Sequence, residues 1–395
     1  MPNANHYDKP KQDVIIVGAG PAGISTALHL ANLAPEIVSR TLILEKMHHP
    51  RPKLCGGGIL PDAEVVLCQL GLDITEVPHV DVDWAHFDYE GRGFKFRPNP
   101  GQPFAFRVIR RHEFDAWLAA KARERGFLIH ENTAVKSIAA TETGVVVTTD
   151  QGEYQAAVVV GADGSNSLVR RAIIPHEDQH IARLLEIVTG PNLDKSFHKQ
   201  SDSYCDFVVL PQGIQGYVWD FPALKKGKPV RVRGVYDSNV LSFKADVSLR
   251  FALDEEFGRH GLLLSNYRLE GHPIRWFDAK SVFSTPHVLL VGDAAGVDAL
   301  FGEGISLALG YGEFAARAIR DAFASQDFSF RNYKRTILRS EMGKSLRRRT
   351  WWARFFYRLR WRLFQRLAWR HLGPIIVWIM RHSLIGWARR QERKD

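Results

Sequence analysis

Cys55 stands directly before three glycines in the stretch RPKLCGGGIL, residues 51–60. A thiol there could hold or pass a proton, and Gly56 and Gly57 would let backbone approach a ligand where a Cβ would block it. The same residues also fit a tight loop around an inert, buried cysteine. A second set lies just upstream. Gly18, Gly20 and Gly23 fit G-x-G-x-x-G, a spacing that turns a strand into a helix and aims unpaired helix N–H groups at a pyrophosphate. Pro21 and Ala22 fill that turn, Pro21 at a position where a helix tolerates it. Glu45 closes the apolar run TLILEK, 22 residues after Gly23, where an acid can accept the ribose hydroxyls of an adenosine; Lys46 follows it.

Other chemistry is poorly supported. There is no G-x-S-x-G elbow and no H-E-x-x-H or H-x-x-E-H signature, and His48-His49 reads as a solvated pair. The three cysteines, Cys55, Cys68 and Cys205, form no CxxC pair, so no zinc site is expected and a reducing compartment is.

The elements needed to position these residues recur along the chain. DVIIVG, before Gly18, suits a buried parallel strand. VVVGADGSNSLVRR (158–171) repeats a strand followed by a small-residue turn, here with Asp163 and Gly164. HVLLVGDAAGVDALFGEGISLALGYGEFAARAI (287–319) does so again, with Gly292 and Asp293 before a Gly/Ala-rich helix. Together the three stretches resemble the fingerprints of the FAD-dependent group that includes para-hydroxybenzoate-hydroxylase-like monooxygenases, halogenases and geranylgeranyl reductases. The resemblance implies FAD as cofactor, Asp293 on its ribityl chain, and a helix N-terminus around Gly302, Glu303, Gly304 and Ile305 facing the isoalloxazine. It implies that Asp163 and Gly164 support FAD binding, and that Arg111, ahead of the helix HEFDAWLAAKA, contacts FAD, with Arg110 as its rival. Val135 completes the expected cofactor set.

Residues 76–105 and 178–282 change to short alternating segments, as an antiparallel sheet with one buried face requires. In GYVWDFP, Tyr217, Trp219 and Phe221 share one strand face, and Pro222 is expected to end the pairing. That aromatic face suits either a sheet core or the wall of an apolar substrate site. The stretch resembles the Y-x-W-x-F-P element of geranylgeranyl reductases, which implies a lipid-lining role; it departs from that pattern at Ala223, where Lys usually follows. Halogenases carry a related stretch. Lys53, Cys55, Gly56 and Gly57 similarly match a K-x-C-G-G element of chlorophyll-pathway reductases, which places them beside flavin and substrate, with a positional role for Cys55.

The expected fold is α/β: a Rossmann-type FAD-binding domain (12–75, 106–177 and 283–330), an inserted antiparallel-sheet substrate domain (76–105 and 178–282), and a helical tail (335–395). The net charge of +10 is uneven. From Lys344 onward fifteen Lys or Arg stand against two acids, with six of the ten tryptophans, so the remainder is close to neutral. The tail reads as an interfacial helix on anionic lipid, with Trp352, Phe355, Phe356, Leu359 and Leu363 on one face. A helical cap over the substrate domain is the rival, and nucleic acid is not favoured because no nucleic-acid fold accompanies the charge. LGPIIVWIM is too short to span a bilayer. The N-terminal twelve residues read as a disordered lead without a signal peptide.

The expected activity is therefore FAD-dependent reduction of isoprenoid C=C bonds. NAD(P)H or a reduced ferredoxin would be the external donor, and the location is cytoplasmic at a membrane surface. A monooxygenase or halogenase is the alternative, followed by a flavoprotein without turnover acting as a sensor. Oligomeric state is not legible.

Overall fold

The computed structural model describes residues 11–98, 101, 104–175, 180–191, 204–210 and 212–394; most of the N-terminal lead lies outside them. Strand Gln12–Val17 is an unbroken apolar run because it lies inside a parallel sheet, paired with Gly152–Gly161 on one side and Thr41–Leu44 on the other. Val288–Leu290 and Leu128–His130 extend the parallel order outward. Helices Pro21–Leu33 and Ile305–Ser325 pack against each other, and with the sheet they form the larger core. A ribbon, Val135–Thr141 with Gly144–Thr149, is joined antiparallel to the long strand Gly152–Gly161.

A seven-stranded sheet forms the second layer, in the order Glu270–Arg275, Ile181–Thr189, Lys228–Asp237, Gly216–Lys225, Tyr204–Val208, Trp84–Tyr89, Arg92–Phe96. A three-stranded sheet, Gly58–Ile59, Phe106–Ile109 and His79–Val82, links the two layers. Pro222 does not end its strand. Pairing with Lys228–Asp237 continues to Lys225↔Lys228, while the last pair with Tyr204–Val208 is Asp220↔Asp206. The missing N–H of Pro222 therefore falls beyond the ladder on that edge, where it costs no bond.

The tail is not one helix. Glu341–Arg358 ends before Leu359, and Arg362–His371, Gly373–Ile379 and Trp387–Glu392 follow as separate pieces. Leu363 thus leaves the face it was expected to share with Trp352. Trp352 and Phe356 turn toward the apolar core on the seven-stranded sheet, whereas Phe355 is exposed. Asp62 ties the far end down, accepting from Gly386 N and Ala388 N, both at 2.8 Å. Among the described residues no helix is long and apolar enough to cross a membrane.

Candidate functional site

Between the two layers runs a cavity of about 720 Å³. Every site residue expected from sequence lines it except Gly23 and Gly292. Those two serve packing: a Cβ on Gly23 would stand 2.0 Å from Gly18 O, and one on Gly292 2.6 Å from the Ala22 Cβ. Each lets helix, strand and turn approach more closely than any side chain allows.

The polar end starts where strand Gln12–Val17 gives way to helix Pro21–Leu33. Gly18 has φ +107°, and a Cβ there would lie 2.4 Å from Ala162 O. Among the described residues a Cβ added at Gly20 would meet Arg51 Nη2 alone, at 3.4 Å, and no side chain caps the helix. The first-turn N–H groups are therefore left for an anion. Glu45 accepts from Ala19 N at 3.0 Å and Met47 N at 3.1 Å, with Arg51 at 3.5 Å. Lys46 and Val135 line the same end.

Asp115, wholly buried, anchors two arginines on this wall: Arg111 at 2.8 and 3.0 Å, and Arg51 at 3.2 Å. Burial opposes the Arg111 charge, but Asp115 more than offsets it and pushes the pKa up. Arg111 faces the cavity, whereas Arg110 turns to Glu186 at 4.0 Å. Arg51 and Asp115 had no recognisable sequence signal.

The second and third motifs meet through Ser165, whose hydroxyl donates to Asp293 at 2.8 Å. Asp163 is engaged locally, accepting from Leu168 N at 2.7 Å and Val169 N at 3.1 Å at the start of helix Leu168–Ile173. Gly164, Gly302, Gly304 and Ile305 all reach the cavity. Glu303 accepts from the Ser306 N–H and hydroxyl, both at 2.8 Å. Arg349, from the tail, bridges Asp298 at 3.0 Å and Glu303 at 3.1 Å. This arginine, 1% exposed, belongs to the cavity wall and not to the outer charged surface. With Met380 and Ile385 it makes the inner side of the tail a lining of the site.

The Cys55 loop divides the polar end from an apolar one. Gly57 has φ +84° and donates to Cys55 Sγ at 3.4 Å. Burial raises the Cys55 thiol pKa, with Arg111 opposing, so the thiol keeps its proton. Lys53 Nζ meets His272 Nε2 at 2.5 Å. Burial, with Lys53 beside it, holds the His272 pKa down at about 4, so His272 meets Lys53 as a neutral ring, and burial lowers the Lys53 pKa as well.

Beyond the loop lie Tyr217, Trp219 and Phe221, joined by Phe87, Phe207 and Tyr236. The Phe87 and Phe207 rings stack at 4.6 Å, and the Tyr217 hydroxyl donates to Phe301 O. The alternation of GYVWDFP puts the aromatics on this face. Asp220 goes to the other, where it accepts from Arg231 at 2.7 Å.

One end of the cavity thus offers uncapped helix N–H groups, carboxylates and arginines, as a dinucleotide requires, and the middle offers a glycine loop for a flat ring. FAD fits this donor set. A family model described as FAD binding domain matches residues 11–231. The chain belongs to the FAD-binding-domain family. The FAD-binding chain is 25% identical, over 85% of each chain, to a digeranylgeranylglycerophospholipid reductase of Thermoplasma acidophilum. It is 27% identical to a menaquinone reductase of Mycolicibacterium smegmatis, covering 78% of this chain and 76% of the relative. Among solved structures, a geranylgeranyl bacteriochlorophyll reductase-like protein of Thermoplasma acidophilum matches with TM-score 0.77 and 21% identity, covering 96% and 95% of the two chains. A flavin-dependent halogenase matches with TM-score 0.64 and 22% identity, over 95% of this chain and 74% of its own. These place the FAD-binding chain among FAD-dependent oxidoreductases with geranylgeranyl-reductase-like relatives, on a mixed α/β fold.

Proposed function

We propose that this protein reduces C=C bonds of an isoprenoid chain carried on a lipid, quinone or pigment. The observation that carries the reading is the aromatic wall of Tyr217, Trp219 and Phe221, packed against the Cys55–Gly57 loop and lining the apolar end of the cavity. Bound FAD supplies hydride once an external donor, NAD(P)H or a reduced ferredoxin, has reduced it. Glu45, Arg111 and Asp293 would hold the cofactor, and Gly56 and Gly57 would let the loop lie against its ring. The aromatic wall excludes water and orients the chain. An unpolarised alkene also needs a proton at its second carbon, and Cys55 stands at the cavity with its thiol protonated.

The outer side of the tail supports work at a bilayer surface. Trp361, Leu363 and Trp378 are 76%, 72% and 60% exposed, beside the exposed Arg354, Arg358, Arg362 and Arg370. Apolar side chains that enter an interface, flanked by cations for anionic headgroups, suit peripheral attachment. A lipid substrate would then pass from membrane to cavity without crossing water.

The test is anaerobic. The bound flavin is reduced and a geranylgeranylated lipid or quinone is added; reoxidation with loss of a double bond supports the reading. The likeness to a halogenase favours a second one, oxygen activation. Reoxidation by oxygen alone, with the substrate gaining oxygen or halogen, would establish that instead.

A further inference from the structure

Glu186 lies on the cavity face of the seven-stranded sheet, in the row Glu270↔Glu186↔Gly234↔Trp219. Its neighbours in alternation, Ala182 and Leu184, belong to the substrate-side core, while Ile187 faces the opposite side. Gly234 brings no side chain to the row. The Trp219 ring covers it so closely that a Cβ would stand 2.2 Å from Cζ2. The same indole nitrogen would be 3.2 Å from a Cβ on Gly56, so the Cys55 loop packs onto this row.

Glu186 is 1% exposed; among the described residues no side chain hydrogen-bonds to its carboxyl, and the backbone N–H of Cys55 points to it. Arg110 Nη1 stands 4.0 Å away. The charged and titratable groups that face it are Arg110 and Arg111 from the helix Arg111–Glu124 and its cap, Cys55 from the loop, and Glu270 from the adjoining strand. Burial, opposed by Arg110 and the Cys55 amide and assisted by Glu270, pushes its pKa up to about 7.

We propose that Glu186 is a positioning acid that keeps Cys55 protonated, so that the thiol can serve as proton donor for each reduced bond. This rests on the alkene-reducing function above. One alkene carbon accepts the hydride and the other takes the proton from Cys55 Sγ. The resulting thiolate takes the Glu186 carboxyl proton, and the carboxylate, faced by Arg110, recovers one from water. The transfer runs downhill, from a carboxylic acid to a thiolate whose pKa burial has raised above the usual thiol value.

The experiment follows Cys55 itself. FAD-loaded full-length protein carrying Cys68→Ser is alkylated with iodoacetamide across pH 5 to about 10, a range spanning ordinary carboxyl and thiol values, and the Cys55 peptide is quantified by mass spectrometry. The expected profile has an inflection near pH 7, where Glu186 ionises and raises the thiol pKa. Glu186→Gln removes that inflection and speeds Cys55 alkylation at high pH, because a like charge is gone. Glu186→Asp retains it, and Arg110→Gln moves it upward. In turnover, Glu186→Gln lowers kcat roughly 10²-fold with little change in KM, and the pH–rate profile loses its inflection near 7. Identical alkylation profiles in wild type, Glu186→Gln and Arg110→Gln overturn the proposal. Failure of the wild type to reduce any alkene overturns the functional reading instead, while the alkylation profile still reports whether the two groups are coupled.

Discussion

Gly56 and Phe221, 165 positions apart in sequence, touch: a Cβ on Gly56 would stand 3.0 Å from two carbons of the Phe221 ring and 3.2 Å from Trp219 Nε1. The loop that faces the polar end and the wall that bounds the apolar end are thus one packed unit. Gly56→Ala forces either loop or wall to shift, an overpacking cost of about 1–3 kcal/mol. The expected outcome is near-normal FAD content with turnover reduced at least severalfold, read from flavin absorbance per protein and from substrate reduction.

Arg349 neutralises two buried acids, Asp298 and Glu303, at the loop that leads into helix Ile305–Ser325. Arg349→Met leaves both without their cation and should destabilise the protein by about 3–5 kcal/mol. Adding Asp298→Asn should recover part of that loss. Thermal unfolding of the single and double variants measures it, and equal melting temperatures for all three would show that the ion pair holds nothing together.

Glu45 spends one oxygen on Ala19 N and the other on Met47 N, so its carboxylate shapes the turn as well as facing the cavity. Replacing it with Ala removes charge-assisted bonds of about 1.5–3 kcal/mol. FAD affinity should fall by roughly tenfold to a hundredfold by that measure. Titration of FAD into flavin-free protein is the check.

Glu131 collects His48 at 2.6 Å, His49 at 2.7 Å and Arg123 at 2.9 Å. Burial opposes its charge, but the His49 and Arg123 bonds hold the pKa down at about 2. A depressed carboxyl pKa adds stability above the unfolded value near 4.5, and that stability is lost as pH falls through about 2. Glu131→Gln should lower stability at neutral pH and flatten the acid limb between those values, in denaturant titrations at a series of pH values.

The exposed apolar side chains of the tail predict vesicle binding. Replacing Trp361, Leu363 and Trp378 with Ser should abolish cosedimentation with anionic vesicles while leaving the melting temperature nearly unchanged, since these side chains are mostly exposed. Unchanged binding would assign the tail to capping alone.

Local order in the chain was legible because it depends on a few adjacent residues. The strand–glycine–helix turns at Gly18, Asp163 and Asp293 follow from apolar runs interrupted by small residues. The shared face of Tyr217, Trp219 and Phe221 follows from the two-residue period of a strand. The strand runs on through Pro222, against the local expectation, because a proline matters only on the edge where a partner needs its N–H.

Which distant groups meet was decided by tertiary packing. Nothing near Arg349 in sequence marks it as the partner of Asp298, 51 positions away, rather than one more surface arginine. Glu186 occupies an ordinary alternating position, and only the loop packed over its row, with Arg110 behind it, buries its carboxyl. The tail divided for the same reason: residue types set its charge and apolarity, but packing of its inner face on the cavity left the rest outside. Short-range periodicity is written in each segment, whereas burial and pairing of charges depend on what another segment places against it.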